Sequence, residues 1–493
     1  FTNIQVPSDA YRSENPGFEQ AVLNQFPVED TVKFFTRLGI YPVNKNGGYL
    51  YPHSGQAASV AEVLCMEARN LGVKIKTNQK VQRVFKEQDI WKVQVEGWIY
   101  EGEAVILSNG SKASAISGSD GSGYELAAAL GHRLIEPLPA LTALKCRNTG
   151  FSGWAGVRTE GRIMLLVDGK KITEETGELQ LTDYGVSGIP VFQVSRYGIR
   201  ALKQGKNVTL ILNFLPEFSR EQLKAFLKIR KENCPYKGKK DFLTGLFPDK
   251  LAKVLLSAND LEEAISSYPL KVTGYQSFEQ AQVCSGGVDT TQVNAQTLES
   301  TRNSGLYFAG ELLDIDGKCG GYNLQWAWSS GYVAGVNASK MLAACLKKEN
   351  NMIRITQLKL SINHTPEELS QKIRKELRLK NEGFTYEIVK QSLDCRHKED
   401  KKFVYTVDVS LQDKNQESKI LRKVHNNNIM LTQEKEYTFP SPGEEELKYP
   451  PVIVGSGPAG IFCAWYLAKA GYRPLVLERG EEAHVRQKTV ENF

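Results

Sequence analysis

Residues Gly305–Gly335 read GLYFAGELLDIDGKCGGYNLQWAWSSGYVAG. Leu306, Tyr307, Phe308 and Ala309 form a short apolar run rich in strand formers and closed by Gly310. That is the pattern of a buried parallel strand, and in open α/β sheets the ligand crevice lies at the carboxyl ends of such strands. Glu311 stands at this crevice with a carboxylate able to accept from a ribityl or ribose hydroxyl. Gly320 and Gly321 let the backbone approach a ligand closely. From Asn323 onward Ala327, Ser330, Gly331 and Ala334 recur at helical spacing. A helix beginning there aims its free N–H groups and positive dipole end into the crevice. An electron-rich ring carbonyl suits that position, and a reduced flavin anion suits it better. Gly310, Glu311, Gly320, Gly321, Tyr322, Asn323, Leu324 and Gln325 are therefore the expected binding residues on this side.

A second stretch, Pro450–Gly480, reads PPVIVGSGPAGIFCAWYLAKAGYRPLVLERG. A buried strand, Val452 to Val454, feeds Gly455-x-Gly457-x-x-Gly460 and an alanine-rich helix. A second strand, Pro474 to Leu477, ends in Glu478. A lone GxGxxG carries little weight, but strand, glycine turn, helix and terminal acid together form a dinucleotide fingerprint. Gly455 makes the tight turn, Gly457 admits a pyrophosphate, and Gly460 lets helix and strand pack closely. Glu478 can accept from the adenosine ribose. Ser456, Pro458, Ala459 and Arg479 complete the expected binding set here.

The chain has 493 residues, 41% hydrophobic and 24% charged, with a net charge of +6. Two to four ordinary domains fit that length. The charge is a weak bias that does not argue for nucleic acid. Eight cysteines are scattered without CxxC spacing and six histidines form no cluster, which predicts a reducing compartment and no metal site. With no run of eighteen apolar residues and no signal peptide, a cytoplasmic location is expected.

In chain order, Phe18 to Leu38 reads as two short helices split by Pro27, and Ser54 is a candidate N-cap for a helix through Leu64. His53 lies in the loop before it, a residue type more often used in packing than in catalysis. Between Gly72 and Gly110 the period changes to two, predicting a β-meander that ends in a buried strand. Residues 145–218 are rich in short strands and glycine turns and predict a small barrel-like β domain. Residues 219–269 turn helical, with a Ser219-x-x-Gln222 capping box, and predict a helical lid over the site. Residues 270–347 return to the first layer, whose other part is residues 1–144. Met352 opens a new pattern, a βαββ unit over 352–413 whose helix is capped by Thr365 and Glu368. The run Cys395–Lys402 reads as a solvated hairpin tip, residues 414–450 as a linker, and 451–493 as the βαβ described above.

These motifs carry a resemblance. GLYFAGE, LDIDG and GGYNLQ match the pattern of the aminoacetone-oxidase-like (BaiN-like) predicted flavoproteins. So do SDGSGYELAAALGH, TDYGVSGIPV, and the SGGV and TLES elements, over residues 1 to about 346. The resemblance implies FAD, with backbone near Val81 against the adenine and Gly110 in a close-approach strand end. Ser111 stands where that family has a second glycine. It also implies oxidation of a small amine or ketone, or reduction of an enone, with O2 or NAD(P)H as redox partner. Residues 352–493 resemble the N-terminal part of a different group, the uncharacterised FAD-dependent dehydrogenases. The family's own first βαβ and its KLL-x-TGNGRCN segment are not found ahead of Phe1. A truncated flavoprotein joined to the start of a neighbouring one is the expectation that follows.

The expected fold class is α/β: an FAD/NAD(P)-binding Rossmann-like layer with inserted β-barrel-like and helical subdomains, plus a small βαββ domain. The expected function is an FAD-dependent oxidoreductase acting on a small amine, ketone or enone, with O2 or NAD(P)H as redox partner, no membrane and no nucleic acid. No side chain is named as catalytic; Tyr322 and His53 are candidates for lining the pocket. The alternatives are a composite without turnover, or a protein that only binds flavin or RNA. Whether the two fingerprints meet is left open by the sequence, and the partner of strand Val452–Val454 decides it.

Overall fold

The computed structural model describes residues 1–45, 47–115, 118–147, 153–349, 351–379, 383–394, 401–411, 424, 426, 428–433 and 449–481. The chain divides into two compact units, one of Phe1–Ser339 with Gly443–Phe493 and one of Lys340–Pro442.

The first unit is organised on a five-stranded parallel sheet. Its order is Leu306–Phe308, Val105–Leu107, Val452–Val454, Leu475–Leu477 and Lys74–Lys76. Every residue of the first four strands is buried, as a strand covered on both faces requires. The middle strand therefore comes from far along the chain. Val452, Ile453 and Val454 pair with Val105, Ile106 and Leu107, one strand away from Leu306–Phe308. The two fingerprints share one sheet. Lys74–Lys76, expected in the meander, is instead the edge of this sheet; only Arg83–Glu87, Ile90–Val95 and Trp98–Gly102 form the antiparallel meander.

Helix Pro458–Lys469 packs closely on helix Tyr322–Glu349 because the latter offers glycine at the contact. A Cβ added at Gly331 would lie 2.7 Å from the Ala459 carbonyl oxygen, and one at Gly335 would lie 3.0 Å from that of Cys463. Phe462 projects into an aromatic cluster of Phe26, Phe34, Phe35, Trp328 and Tyr466. Phe34 and Phe35 lie on helix Val28–Arg37, which follows Phe18–Leu23 across Pro27 as expected. Ser54 is not the cap of the next helix. That helix starts at Ala57 with Gln56 at its N-cap, and Ser54 bonds to Ser59 and to the Gln56 N–H.

The insertion is a closed six-stranded barrel in the order Leu144–Cys146, Gly185–Ser187, Lys170–Leu181, Val157–Val167, Val208–Asn213, Tyr268–Tyr275. Its last strand lies mostly beyond Pro269, so closure recruits residues expected to belong to the returning layer. Ile189–Ser195, within a stretch expected as strand, instead opens the helix Ile189–Lys203. Pro190 suits its first turn, and Val191, Val194 and Ile199 recur at helical spacing and are buried in the barrel core. Three helices follow, Arg220–Asn233, Asp249–Leu256 and Leu261–Ser266, the first opened by the Ser219–Gln222 capping box. Leu223, Leu251, Leu255 and Ile265 bury against the barrel. These helices pack on the barrel, and none of their residues lines the cavity described below.

In the second unit an antiparallel sheet runs Phe384–Asp394, Lys402–Leu411, Asn351–Ser361, Ile429–Gln433. Helix Pro366–Glu376, capped by Thr365, covers one face through Leu369, Ile373 and Leu377, which are at most 2% exposed. Ile429–Gln433 is a strand within the stretch expected as linker. Residues 395–400 of the charge run and 434–448 of the linker lie outside the described residues.

Candidate functional site

Four adjacent parallel strands end at one cavity of about 460 Å³. Leu107 leads into Ser108 and Asn109, Phe308 toward Gly310 and Glu311, Val454 into Gly455, and Leu477 into Glu478; all these end residues line it. Of the residues the sequence singles out, Val81, Gly110, Gly310, Glu311, Gly320, Gly321, Asn323, Leu324, Gly455, Ser456, Gly457, Pro458, Ala459, Glu478 and Arg479 stand at its wall.

The glycine turn explains itself sterically. Gly455 has φ +102°, and an added Cβ would lie 2.8 Å from the Ser108 carbonyl oxygen. At Gly457 an added Cβ meets nothing within 4 Å, leaving backbone open toward the cavity. Gly460 lies beneath the turn, away from the wall, where a Cβ would sit 2.0 Å from the Gly455 oxygen.

Charged groups from distant segments meet at one end. Glu478 accepts from the Ser456 N–H (2.8 Å), the Ser456 hydroxyl (2.6 Å) and the Gly480 N–H (2.7 Å). Asp120 pairs with Lys80 at 3.1 Å and with Arg479, whose guanidinium also reaches the Gly118 carbonyl. Burial pushes the Asp120 carboxyl up. Hydrogen bonds from Ser122 and Lys80 and the Arg479 charge outweigh this and hold it well below the usual range. At the other end Glu311 accepts from the Cys284 N–H at 3.3 Å. Burial lifts Glu311 to about 7, with hydrogen bonds from Ser111 and Cys284 pulling the other way. Asn323 fastens the loop before its helix, accepting from the Gly317 N–H (2.7 Å) and donating to the Gly317 carbonyl (3.0 Å).

Other expected residues stand back from the wall. The Tyr322 hydroxyl donates to the Gln5 carbonyl at 2.8 Å. Gln325, 1% exposed, ties the helix to Thr2, Phe26, Thr31 and Ser329. His53 lies against Tyr41 and lines no part of this cavity. Conversely Ser108, Asn109, Lys80, Asp120, Gln282 and Cys319 line it without having been named. Asn109 and Asp120 stand in the SNG and SDG turns, a signal that was available. Gln282 had none.

The wall fits a dinucleotide. It offers open glycine backbone at a helix N-terminus, a carboxylate at each end, and a buried acceptor, Asn109 Oδ1, that has no partner among the described residues. A parallel sheet with these groups around one cavity defines a protein of the Rossmann-like dinucleotide-binding class. The chain belongs to the HI0933-like protein Rossmann domain family, whose pattern matches residues 1–337, and it is thus a flavoprotein oxidoreductase. An NAD(P)-binding Rossmann-like domain matches residues 453–491, and a domain of unknown function, DUF8436, matches 352–410. The chain is 41% identical over 356 residues to the 3-dehydro-bile acid delta(4,6)-reductase of Clostridium scindens, covering 69% of this chain and 87% of that protein. It is 28% identical over 362 residues to the ribosomal RNA dihydrouridine synthase of Haemophilus influenzae, covering 69% and 87%. A Clostridium beijerinckii protein of uncharacterised function is 39% identical over 142 residues, 29% of this chain and 26% of that one. No helix among the described residues is long and apolar enough to cross a membrane.

Proposed function

We propose that the chain is an FAD-dependent reductase that adds hydrogen across a carbonyl-conjugated carbon–carbon double bond of a small molecule, taking electrons from NAD(P)H. The observation that carries this is a cavity walled by residues of both fingerprints, from Gly310 to Leu324 and from Gly455 to Arg479. Glu478 would hold the adenosine ribose. Gly455 to Gly457 and the N-terminus of helix Pro458–Lys469 would take the pyrophosphate, and Glu311, Gly320 and Gly321 the flavin end. FAD, when bound, supplies the hydride. The names of both relatives describe hydrogen added across a double bond, which supports this reaction over amine oxidation.

An RNA substrate is the second reading, drawn from the dihydrouridine synthase name. The second unit does not favour it. On its described sheet Arg354 is bonded to Asp408 by two contacts of 2.7 Å, and Lys359 to Asp394 at 3.3 Å, so these two cations are already paired. A basic, aromatic-studded surface would be the footprint of RNA binding.

The test is a visible spectrum of the purified chain, then anaerobic addition of NADH and of cyclohex-2-enone. A flavin band that bleaches with NADH and returns with the enone is the expected result. Absence of flavin after reconstitution with FAD overturns the cofactor. A band that NADH never bleaches leaves a flavin-binding protein without this turnover.

A further inference from the structure

A second cavity, of about 450 Å³, opens beside the first. The two share Gly320, Gly321, Leu324, Ser456, Gly457 and Pro458, so the glycine pair and the turn before helix Pro458–Lys469 wall both. Its other side is built from strand Tyr49–Pro52 and helix Ala57–Asn70. On that helix Ala57, Val60, Ala61, Leu64 and Cys65 line the space, a stripe at three- and four-residue spacing that forms one helix face. Among the described residues, none that lines it carries an acidic or basic side chain. Burial raises the Cys65 thiol, which therefore stays neutral as well. A space of this size and lining suits a small apolar molecule, oriented by the few polar groups on its wall.

Most of those polar groups are already used. The Thr2 hydroxyl donates to Gln325 Oε1 at 2.6 Å, the Ser456 hydroxyl to Glu478 at 2.6 Å, and Trp328 Nε1 to the Phe1 carbonyl at 3.0 Å. The hydroxyls of Tyr49 and Tyr51 have no hydrogen-bond partner among the described residues. Both side chains are exposed, two residues apart on one strand. Tyr51 stands against Lys45, whose Nζ lies 5.1 Å from the ring centre. Tyr49 instead meets the shared wall: its ring covers Gly320, where an added Cβ would lie 2.2 Å from Tyr49 Cε1. A free donor thus stands at the seam between the apolar cavity and the cofactor cavity.

Taking the chain as the double-bond reductase proposed above, we infer that this second cavity is the acceptor site, that it takes an uncharged apolar carbonyl compound, and that the Tyr49 hydroxyl donates to the carbonyl oxygen. The oxygen of a conjugated carbonyl gathers charge when hydride arrives at the β-carbon, and a fixed donor stabilises it there. Gly320 and Gly321 carry no side chain to screen one space from the other. An ionic acceptor would lose its water in this cavity and meet no side chain of opposite charge.

The experiment uses the full chain with chalcone, a neutral conjugated ketone, and 4-carboxychalcone, its anionic analogue. Calorimetry on the flavin-free chain reads binding without turnover. Chalcone should bind about tenfold or more tightly than the carboxylate. Ala61→Trp places bulk in the cavity from an exposed position and should weaken chalcone binding about tenfold or more. Ala57→Trp, also exposed, repeats that comparison if the first variant fails to fold. The FAD-loaded chain is then reduced anaerobically and reoxidised by chalcone or, separately, by O2. Tyr49→Phe should slow the chalcone step about 100-fold relative to its own O2 step, the scale of one lost donor to a developing oxyanion. Equal binding of the two ketones overturns the uncharged class. Chalcone affinity within threefold of wild type in the tryptophan variants, or no binding to wild type, overturns the cavity as its site. A chalcone-to-O2 ratio within threefold of wild type in Tyr49→Phe overturns that hydroxyl's role. If chalcone binds as expected but never reoxidises the flavin, double-bond reduction itself fails, and the acceptor role of the cavity with it.

Discussion

The barrel from Leu144–Cys146 to Tyr268–Tyr275 closes on itself within one continuous run of chain, whereas the parallel sheet takes its strands from three separated stretches. The barrel strands satisfy their backbone groups among themselves. The sheet's middle strand, Val452–Val454, arrives only after the whole second unit has been traversed, and without it Val105–Leu107 would lose its partner on that side. The cavity follows the second plan: four strand ends from distant sequence converge on it, and none of the barrel's strands lines it. A self-contained insertion can be changed without dismantling the site, while the site depends on docking the C-terminal βαβ.

The strongest way to break that comparison is a charge in the docked strand. Ile453 is 0% exposed. Ile453→Asp should cost about 4 kcal/mol or more, because an unpaired charge is buried. Flavin retention should be lost, while the barrel's buried Trp154 keeps its native fluorescence. Equal loss of both signals on denaturation would show that the two regions are one cooperative body.

Next comes the glycine turn, where two neighbours separate folding from binding. A Cβ at Gly460 collides with Gly455 backbone, so Gly460→Ala should cost about 3 kcal/mol in urea unfolding. A Cβ at Gly457 meets open space, so Gly457→Ala should change stability by about 0.5 kcal/mol or less yet weaken FAD binding at least tenfold. Equal stability losses in the two would remove the distinction between packing glycine and binding glycine.

A smaller effect belongs to Glu311. Its carboxyl is raised from 4.5 to about 7, so the folded apo-protein holds a proton that the unfolded chain releases between those values. Stability contributed by that proton is present below about pH 4.5 and is lost as pH rises toward 7. Glu311→Gln lacks this loss. Its stability relative to wild type should therefore climb by about 2–3 kcal/mol across the window. A pH-independent difference in unfolding free energy would refute the shift. The smallest effect is expected in the second unit, where Lys359→Ala removes an exposed pair with Asp394. It should change stability by about 0.5 kcal/mol or less and leave flavin binding unaltered.

Much of the site was legible because its motifs carry local physics. Gly455, Gly320 and Gly321 have positive φ and Gly460 packs against the Gly455 backbone, reasons that act within a few residues, and the buried runs before them announce the strands. The Leu369, Ile373 and Leu377 stripe likewise reports its own burial. The failures occurred where a local pattern is ambiguous or a distant partner decides. GIPVFQVS satisfies a strand reading, but the helix Ile189–Lys203 wins because its apolar side chains complete the barrel core. Ile429–Gln433 lies in polar surroundings and becomes a strand because Asn351–Ser361 offers it an edge.

The sequence alone determined the local geometry of the proposed dinucleotide site: the glycine turns, the acids Glu311 and Glu478, and the helices that begin behind them are set by patterns expressed over short spans. Tertiary structure alone decided that the two fingerprints serve one cavity. Strand pairing is a long-range choice, and any apolar parallel strand has the backbone to accept another. The small-residue seam of Gly331 and Gly335 against helix Pro458–Lys469 and the aromatic nest around Phe462 make Val452–Val454 the strand that fits. The same placement gathers Lys80, Asp120 and Arg479 at one end of the cavity, an arrangement that no spacing within the chain encodes.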